Sequence, residues 1–162
     1  MDFAERAASE WALRYPDLDS SHILVVGRIL RIAAAVTAGS EVDLAPHGLT
    51  RGEFDVLCAL RRSGRPLRPG EITTVTGASP AAITKRLDRL ARAGLAGRVP
   101  SERDGRVVHV SLTRAGDDLV DEIFPAHVAR EAVALDGLED SERDQLGVLL
   151  ARVLARLDPL EY

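Results

Sequence analysis

Cationic side chains are concentrated in one stretch of this 162-residue chain, and such a stretch can bind a polyanion. The net charge is −4, yet residues 61–106 hold eleven Lys or Arg against four Asp or Glu, which makes this stretch +7 and leaves −11 for the rest. Segments with such a charge typically bind the phosphate groups of nucleic acid. A solvated charged surface is the alternative. The segregation of charge along the chain favours contact with phosphate.

Residues suited to catalysis or metal binding form no comparable group. His22, His47, His109 and His127 are scattered without the spacing of a metal site, and we expect His127 at the surface or at an interface. Cys58 is the single cysteine, so the chain offers no internal disulfide, and we expect an inert core thiol rather than a redox sensor. We find no glycine-rich phosphate loop and no nucleophile with a partnered base. The sequence therefore predicts neither an enzyme nor a cofactor or metal.

The elements that position the cations are predicted to be mainly helical. Apolar residues make up 46% of the chain and aromatic residues 4%, and the dominance of Ala, Leu and Val favours packed helices. Apolar side chains from Phe3 to Trp11 recur at helical spacing and predict a first helix that stops at Pro16. A second helix is predicted from residue 19 or 20 to residue 40, and residues 41–48 are expected to be a connector.

Three further helices are predicted from their end signals. Thr50 and Glu53 have the spacing of a capping box and open a third helix. Pro69 lies where a first-turn proline is tolerated and opens a short fourth helix. Gly77 supplies a tight turn, after which Ser79 caps a fifth helix. Two helices joined by a short glycine turn are typical of a helix-turn-helix.

The fifth helix is predicted to be the one that enters the major groove of DNA. Ile83, Leu87 and Leu90 face inward, so the opposite side is free to contact base edges and phosphates. We expect Lys85 to bind guanine or phosphate and Arg89 to contact the backbone. The predicted DNA contacts on this element are Ser79, Pro80, Ala81, Ala82, Thr84, Lys85 and Arg89.

A β-hairpin is predicted directly after this helix. Residues 95–99 and 106–112 are short β-type runs on either side of a polar tip. Arg103 and Arg106 lie at the tip and are predicted to enter the minor groove, while Asp104 orients one guanidinium. A turn that only improves solubility is the alternative. The position directly after a helix-turn-helix favours a DNA-contacting wing.

The C-terminal part is predicted to hold two subunits together. A helix is expected from Thr113 to about Leu135, with a bend at Pro125, and Ser141 is expected to cap a last helix. That last helix repeats Leu and Val over nearly its whole length, more apolar surface than a small winged domain covers. The sequence therefore predicts a homodimer, with burial inside one chain as the alternative.

These elements predict a mainly α fold with a small β wing, a winged helix-turn-helix whose terminal helices form a dimerisation region. The expected organisation has N-terminal helices over residues 1–48, for dimerisation and as a lid over an effector. The DNA-binding domain follows over residues 49–112, and C-terminal dimerisation helices over residues 113–162.

Several sequence stretches resemble the MarR family of bacterial regulators over nearly the whole chain. They are Phe54-Asp55-Val56-Leu57, Ser79-Pro80-Ala81-Ala82-Ile83-Thr84-Lys85-Arg86-Leu87-Asp88-Arg89-Leu90, Ala93-Gly94-Leu95, Arg98, Asp104-Gly105-Arg106 and Leu112-Thr113. The resemblance implies a two-fold dimer with two winged lobes that binds a pseudo-palindromic operator in double-stranded DNA. It also implies a small-molecule effector that weakens DNA binding.

Four residues resemble the effector site of the urate-responsive branch of this family. Arg86 lies near the inward border of the fifth helix, where burial without a partner is costly. The resemblance implies that Arg86 and Arg98 hold the anionic edge of urate or another planar organic anion. It implies also that Trp11 stacks on the anion and that Asp55 pairs with Arg86 without ligand. The alternative is that Trp11 only anchors its helix and that Asp55 and Arg86 form a permanent salt bridge.

The N-terminal residues bear on location. Residues 1–15 lack the apolar stretch of a signal peptide, and no run is expected to approach the length of a membrane span. We therefore expect a cytoplasmic protein without a membrane partner. The sequence-based hypothesis is a ligand-responsive repressor, and the alternative is a winged-helix module that binds proteins and not DNA. The +7 segment favours the repressor.

Overall fold

The computed structural model describes residues 1–100 and 108–158. The chain divides into two compact units, Met1–Asp43 and Leu44–Tyr162. The described elements are mainly helices with one two-stranded sheet, which confirms the predicted fold class. In chain order they are α1 (Phe3–Arg14), α2 (Ile23–Leu44), a 3-10 helix (Ala45–His47), α3 (Arg51–Ser63), α4 (Pro69–Thr76), α5 (Pro80–Arg92), β1 (Ala96–Pro100), β2 (Val108–Leu112), α6 (Arg114–Val133) and α7 (Asp140–Leu157).

The N-terminal unit is built from α1 and most of α2. Asp2 caps α1 and forms a capping box with Glu5. Arg28 of α2 binds both carboxylates, at 2.8 Å from Asp2 and 3.2 Å from Glu5. A Cβ at Gly27 would lie 3.5 Å from Ala4, so the two helices pack closely at this point.

Helix α2 is displaced along the chain from its predicted limits. It begins at Ile23 rather than at residue 19 or 20, and it runs to Leu44 rather than residue 40. The predicted connector over residues 41–48 is therefore largely helical. Leu44 is fully buried, which favours helix up to that point, and Pro46 then removes a backbone donor and prevents a further α-helical turn.

One segment corrects the expectation that no run approaches the length of a membrane span. Residues Ile23–His47 are long and apolar enough to cross a membrane, with a mean hydropathy of 1.6 and 6% of the window buried. A single such helix is weak evidence for a span, because helices that pack in soluble proteins meet the same criterion. The more informative property is that most of this apolar helix is exposed in the single chain, because a large exposed apolar patch indicates an interaction surface.

The second unit has its core where α3, α4, α5 and the sheet meet α6. Its buried residues include Phe54, Leu57, Ile72, Ile83 and Leu90. Strand β1 pairs antiparallel with β2, from Ala96 opposite Leu112 to Pro100 opposite Val108. A β-bridge from Leu67 to Val110 ties the sheet to the segment before α4.

Helices α6 and α7 differ in burial although both are long. Thr113, where the sequence predicts the start of this helix, caps α6, and Pro125 lies inside that helix. The last helix begins one residue before the predicted cap Ser141, because Glu139 and Glu142 form a capping box. No residue of α7 is buried. Its exposed apolar side chains are Leu146, Val148, Leu149, Leu150, Val153, Leu154 and Leu157.

Candidate nucleic-acid interface

The helix-turn-helix forms where the sequence predicts it. Pro69 occupies the first turn of α4, and Glu71 accepts a hydrogen bond from the Arg68 backbone N–H at 2.7 Å. Gly77 has φ of 64° at the end of α4, a left-handed conformation that glycine adopts without a Cβ penalty. Ser79 caps α5 by accepting from the Ala82 N–H at 3.3 Å. These local signals fix the angle at which α5 leaves the turn.

The inward face of α5 is buried and its outward face is open, as predicted. Ile83, Leu87 and Leu90 are buried in the core shared with α3 and α4. Of the predicted contacts on this helix, Ala82 is half-buried, whereas Ser79, Pro80, Ala81, Thr84, Lys85 and Arg89 are exposed. The ammonium group of Lys85 forms no ion pair with any residue within 1–100 or 108–158. It is therefore available to a guanine edge or a phosphate.

Arg89 has a protein partner that the sequence analysis did not identify. Its Nε lies 2.9 Å from Oε1 of Glu53, whose side chain is only 3% exposed. Oε2 of Glu53 accepts from the backbone N–H and the hydroxyl of Thr50, each at 2.9 Å. Arg89 thus neutralises a buried carboxylate, and its side chain remains half-exposed. The capping-box spacing revealed Glu53 but could not reveal its pairing with α5.

The described part of the wing places the sheet against α5. Nη2 of Arg98 on β1 lies 2.8 Å from Oδ1 of Asp88 on α5. Both side chains are more than half exposed, so the pair orients the strand more than it stabilises the fold. The predicted minor-groove residues Arg103, Asp104 and Arg106 lie outside the described residues.

The pairing expected at the effector site is corrected by the structure. Asp55 accepts from Nε of Arg51 at 2.8 Å rather than from Arg86, and Nη1 of Arg51 also lies 3.2 Å from Glu131. Arg51 precedes Asp55 by four residues on α3, a spacing that brings side chains together on one helix face. Arg86 packs instead over Gly52, where any larger side chain would collide with its guanidinium.

The remaining predicted effector residue, Trp11, belongs to the N-terminal unit. Its ring stacks on Tyr15 with a centroid distance of 5.7 Å and an interplanar angle of 25°. Both rings are about half exposed. The Trp11 ring therefore remains partly accessible to solvent although it stacks on Tyr15.

His127 is buried, contrary to the expectation of a surface or interface position. Its side chain is 7% exposed, and Nε2 lies 3.2 Å from Oε1 of Glu131. Phe54 packs against the imidazole edge-on, with ring centroids 5.0 Å apart. Nδ1 has no hydrogen-bond partner among the residues described. The shared acceptor Glu131 joins His127 to the Arg51–Asp55 pair, so one polar network connects α3 to α6.

Cys58 is half-buried on α3, close to Asp55 and Arg62. Burial raises the pKa of its thiol to about 11, and the carboxylate of Asp55 adds to the shift. The thiol is therefore protonated and weakly nucleophilic at neutral pH. This agrees with the predicted inert thiol.

Comparison with known proteins gives a consistent result. A family model described as "MarR family" matches residues 47–107. The chain is 34% identical over 146 residues to the HTH-type transcriptional regulator PecS of Dickeya dadantii, covering 89% of this chain and 88% of PecS.

Two solved structures are also similar. A mutant MarR of E. coli complexed with operator DNA is 27% identical with a TM-score of 0.70, covering 85% of this chain and 99% of MarR. Bordetella bronchiseptica BpsR is 29% identical with a TM-score of 0.71, covering 79% of this chain and 97% of BpsR. The BpsR structure describes regulation of its DNA binding by 6-hydroxynicotinic acid.

Proposed function

Because the chain belongs to the MarR family of DNA-binding transcription regulators, which are not enzymes, we propose that it is a homodimeric repressor released from a pseudo-palindromic operator by a small organic anion. The observation that carries the proposal is that α5 has a buried apolar face and an exposed face opposite to it. Its apolar stripe anchors it to the core, and its outward face presents Lys85, which forms an ion pair with none of the residues that the structure describes. A helix held in this way fits the major groove.

A dimer is supported by the exposed apolar surface of the terminal helices. Regulators of this family act as dimers. Here α7 has no buried residue and repeats Leu and Val along its length, so a second copy of the helix is a fitting cover. Two-fold symmetry would place two α5 helices about one DNA turn apart, roughly 34 Å, which accounts for a pseudo-palindromic site. Residues 1–48 and 113–162 would then dimerise, and residues 49–112 would bind DNA.

The proposed effector is a planar organic anion such as urate, held by Arg86 and Arg98. The DNA binding of the similar protein BpsR is regulated by 6-hydroxynicotinic acid, which is a precedent for a planar organic acid as effector. Arg98 already pairs with Asp88 on α5. An anion that displaced Asp88 would therefore act directly on the DNA-reading helix. The roles of Trp11 and Asp55 in this site remain predictions from the sequence.

The cellular partner of this protein is proposed to be chromosomal operator DNA in the cytoplasm. The minor-groove role of Arg103, Asp104 and Arg106 remains part of the proposal. Lys85 is expected to read a base, and the half-exposed guanidinium of Arg89 is expected to contact phosphate while it also holds Glu53.

Selection of duplexes from a random pool, followed by titration of the enriched sequence, tests the proposal. We expect a pseudo-palindrome and a salt-dependent affinity. Lys85→Ala should weaken binding by about 5- to 150-fold, since one base contact contributes roughly 1–3 kcal/mol. Arg62→Ala, which also removes one exposed cation but lies at the end of α3 outside the predicted DNA contacts, serves as the matched control. Recovery of no enriched sequence would favour a protein-binding module instead.

A further inference from the structure

The guanidinium of Arg86 on α5 lies against the bare backbone of Gly52, the second residue of α3. A Cβ at Gly52 would lie 2.6 Å from Nε of Arg86 and still closer to Cζ and Nη2. Real Cβ atoms do not make contacts this short, so the guanidinium fits here only because residue 52 has no side chain. Alanine is favoured over glycine within a helix. Local helix structure therefore gives no reason for a glycine at this position.

Arg86 is half-buried, and its positive charge is not neutralised by the part of the chain that the structure describes. It forms neither an ion pair nor a hydrogen bond with any residue within 1–100 or 108–158. By contrast, Arg89 lies three residues further along α5 and binds the buried carboxylate of Glu53 at 2.9 Å. Positions three apart share one helix face, so Arg86 and Arg89 both meet the first turn of α3. An anion can therefore reach Arg86 while the pair of Glu53 and Arg89 stays intact.

We propose that Gly52 is a positioning residue, which holds the guanidinium of Arg86 against α3 and presents its open side to an anion. A flexible arginine side chain loses rotational freedom when it binds a ligand, and one that is already held in place loses less. Gly52 therefore raises the affinity for the anion without a contact to it. The identity of the anion as an effector rests on the proposed function, whereas the placement of Arg86 by Gly52 does not.

The geometry separates positioning of Arg86 from packing of the core. The atoms that a Cβ would displace are the far end of a long, flexible side chain. Gly52→Ala should therefore turn the guanidinium away and leave the core around Ile83 and Leu87 as it is. Gly70→Ala is the matched control, because Gly70 is the second residue of α4 and a Cβ there would meet no atom within 4 Å. Both substitutions gain helix propensity, so the contact with Arg86 is what distinguishes them.

Modification of the full-length chain by phenylglyoxal, located by mass spectrometry, tests the placement of Arg86 without DNA or ligand. We expect Gly52→Ala to speed the modification of Arg86 several-fold, because the guanidinium loses its cover. Arg92, which is exposed on the same helix, should react at an unchanged rate, and Gly70→Ala should change neither rate. Equal reactivity of Arg86 in wild type and in Gly52→Ala would overturn the proposal. So would a Gly52→Ala chain that fails to fold by circular dichroism, since the contact would then belong to the core.

Calorimetric titration with urate tests what the placement does for binding. We expect Gly52→Ala to weaken urate binding by about 2- to 12-fold, the effect of immobilising one flexible side chain, and Gly70→Ala to leave it unchanged. In an Arg86→Ala background, Gly52→Ala should have no further effect, because no guanidinium is left to position. Equal losses in both backgrounds would overturn the proposal. If wild type did not bind urate, the proposed effector would fail, and the phenylglyoxal rates would still decide whether Gly52 positions Arg86.

Discussion

The winged lobe, made of α3, α4, α5, β1 and β2, buries its apolar side chains. The last helix, α7, exposes them. In the lobe, Phe54, Leu57, Ile72, Ile83 and Leu90 are each at most 1% exposed. In α7, no residue is buried. Their apolar composition alone would not reveal this difference.

The contrast indicates which part of the molecule is complete within one chain. The lobe buries one face of each helix and leaves polar groups on the outside of α5, the surface that we propose contacts DNA. The surface of α7 stays in water until something covers it, at a cost of roughly 25 cal/mol per Å² of apolar area. In the proposed dimer its stability therefore depends on assembly, and assembly would set the spacing of the two α5 helices.

Replacing a leucine by aspartate gives the largest expected effect, and we compare it in the two regions. Leu57→Asp introduces a carboxylate at a fully buried site of the lobe, and we expect it to lower the free energy of unfolding by more than about 4 kcal/mol. Leu150→Asp affects a side chain that is 41% exposed on α7. It should leave the lobe folded and shift the chain to monomer, with loss of tight operator binding.

Chemical denaturation monitored by circular dichroism, together with sedimentation at several concentrations, measures both effects. Arg152→Ala, an exposed position two residues further along α7, is the control for helix content. If Leu150→Asp stayed dimeric, or unfolded the lobe as severely as Leu57→Asp, the contrast between the two regions would be lost.

A smaller effect is expected where the core of the lobe meets the surface that we propose binds DNA. Glu53→Gln replaces a buried carboxylate that accepts from Thr50 and Arg89. The amide directs a donor at groups that are themselves donors. The free energy of unfolding should therefore fall by about 1–3 kcal/mol. Operator affinity should change as well, because Arg89 loses the partner that orients it.

Comparison with Glu71→Gln, which alters the cap of α4 at a side chain that is 37% exposed, separates burial from capping. We expect the exposed substitution to cost less, since water can replace the lost partner. Equal costs in stability for the two variants would show that burial of Glu53 contributes nothing.

The sequence predicted the lobe well because its signals are local. Thr50 with Glu53, Pro69 and Ser79 each act on backbone groups within the next turn, so their spacing alone locates the start of a helix. The end of α2 was wrong by four residues, because burial of Leu44, which packs in the core of the second unit, extends that helix. No local signal reports such a contact.

The pairings of the site residues were harder to predict for a different reason. Several arginines could form a salt bridge with Asp55, and the resemblance favoured Arg86. The geometry of α3 brings Arg51 nearer, and Arg51 forms the salt bridge. Likewise, a lone histidine on α6 gave no sign that it would be buried against Phe54. Partner choice between distant residues depends on how helices are oriented, which a single sequence does not specify.

The smallest expected effect concerns Cys58, which reports whether the lobe is intact without the dimer. With the pKa of its thiol raised to about 11, the thiolate fraction, and with it the rate of alkylation by iodoacetamide, should rise about tenfold per pH unit between pH 7 and pH 9. In the unfolded chain the usual pKa of 9.0 applies, so alkylation there should begin to level off near that pH. The monomeric variant Leu150→Asp should follow the folded profile, because the residues that shift the pKa of Cys58 belong to the same chain. A profile in that variant which matched the unfolded chain would mean that the lobe needs the second subunit to fold.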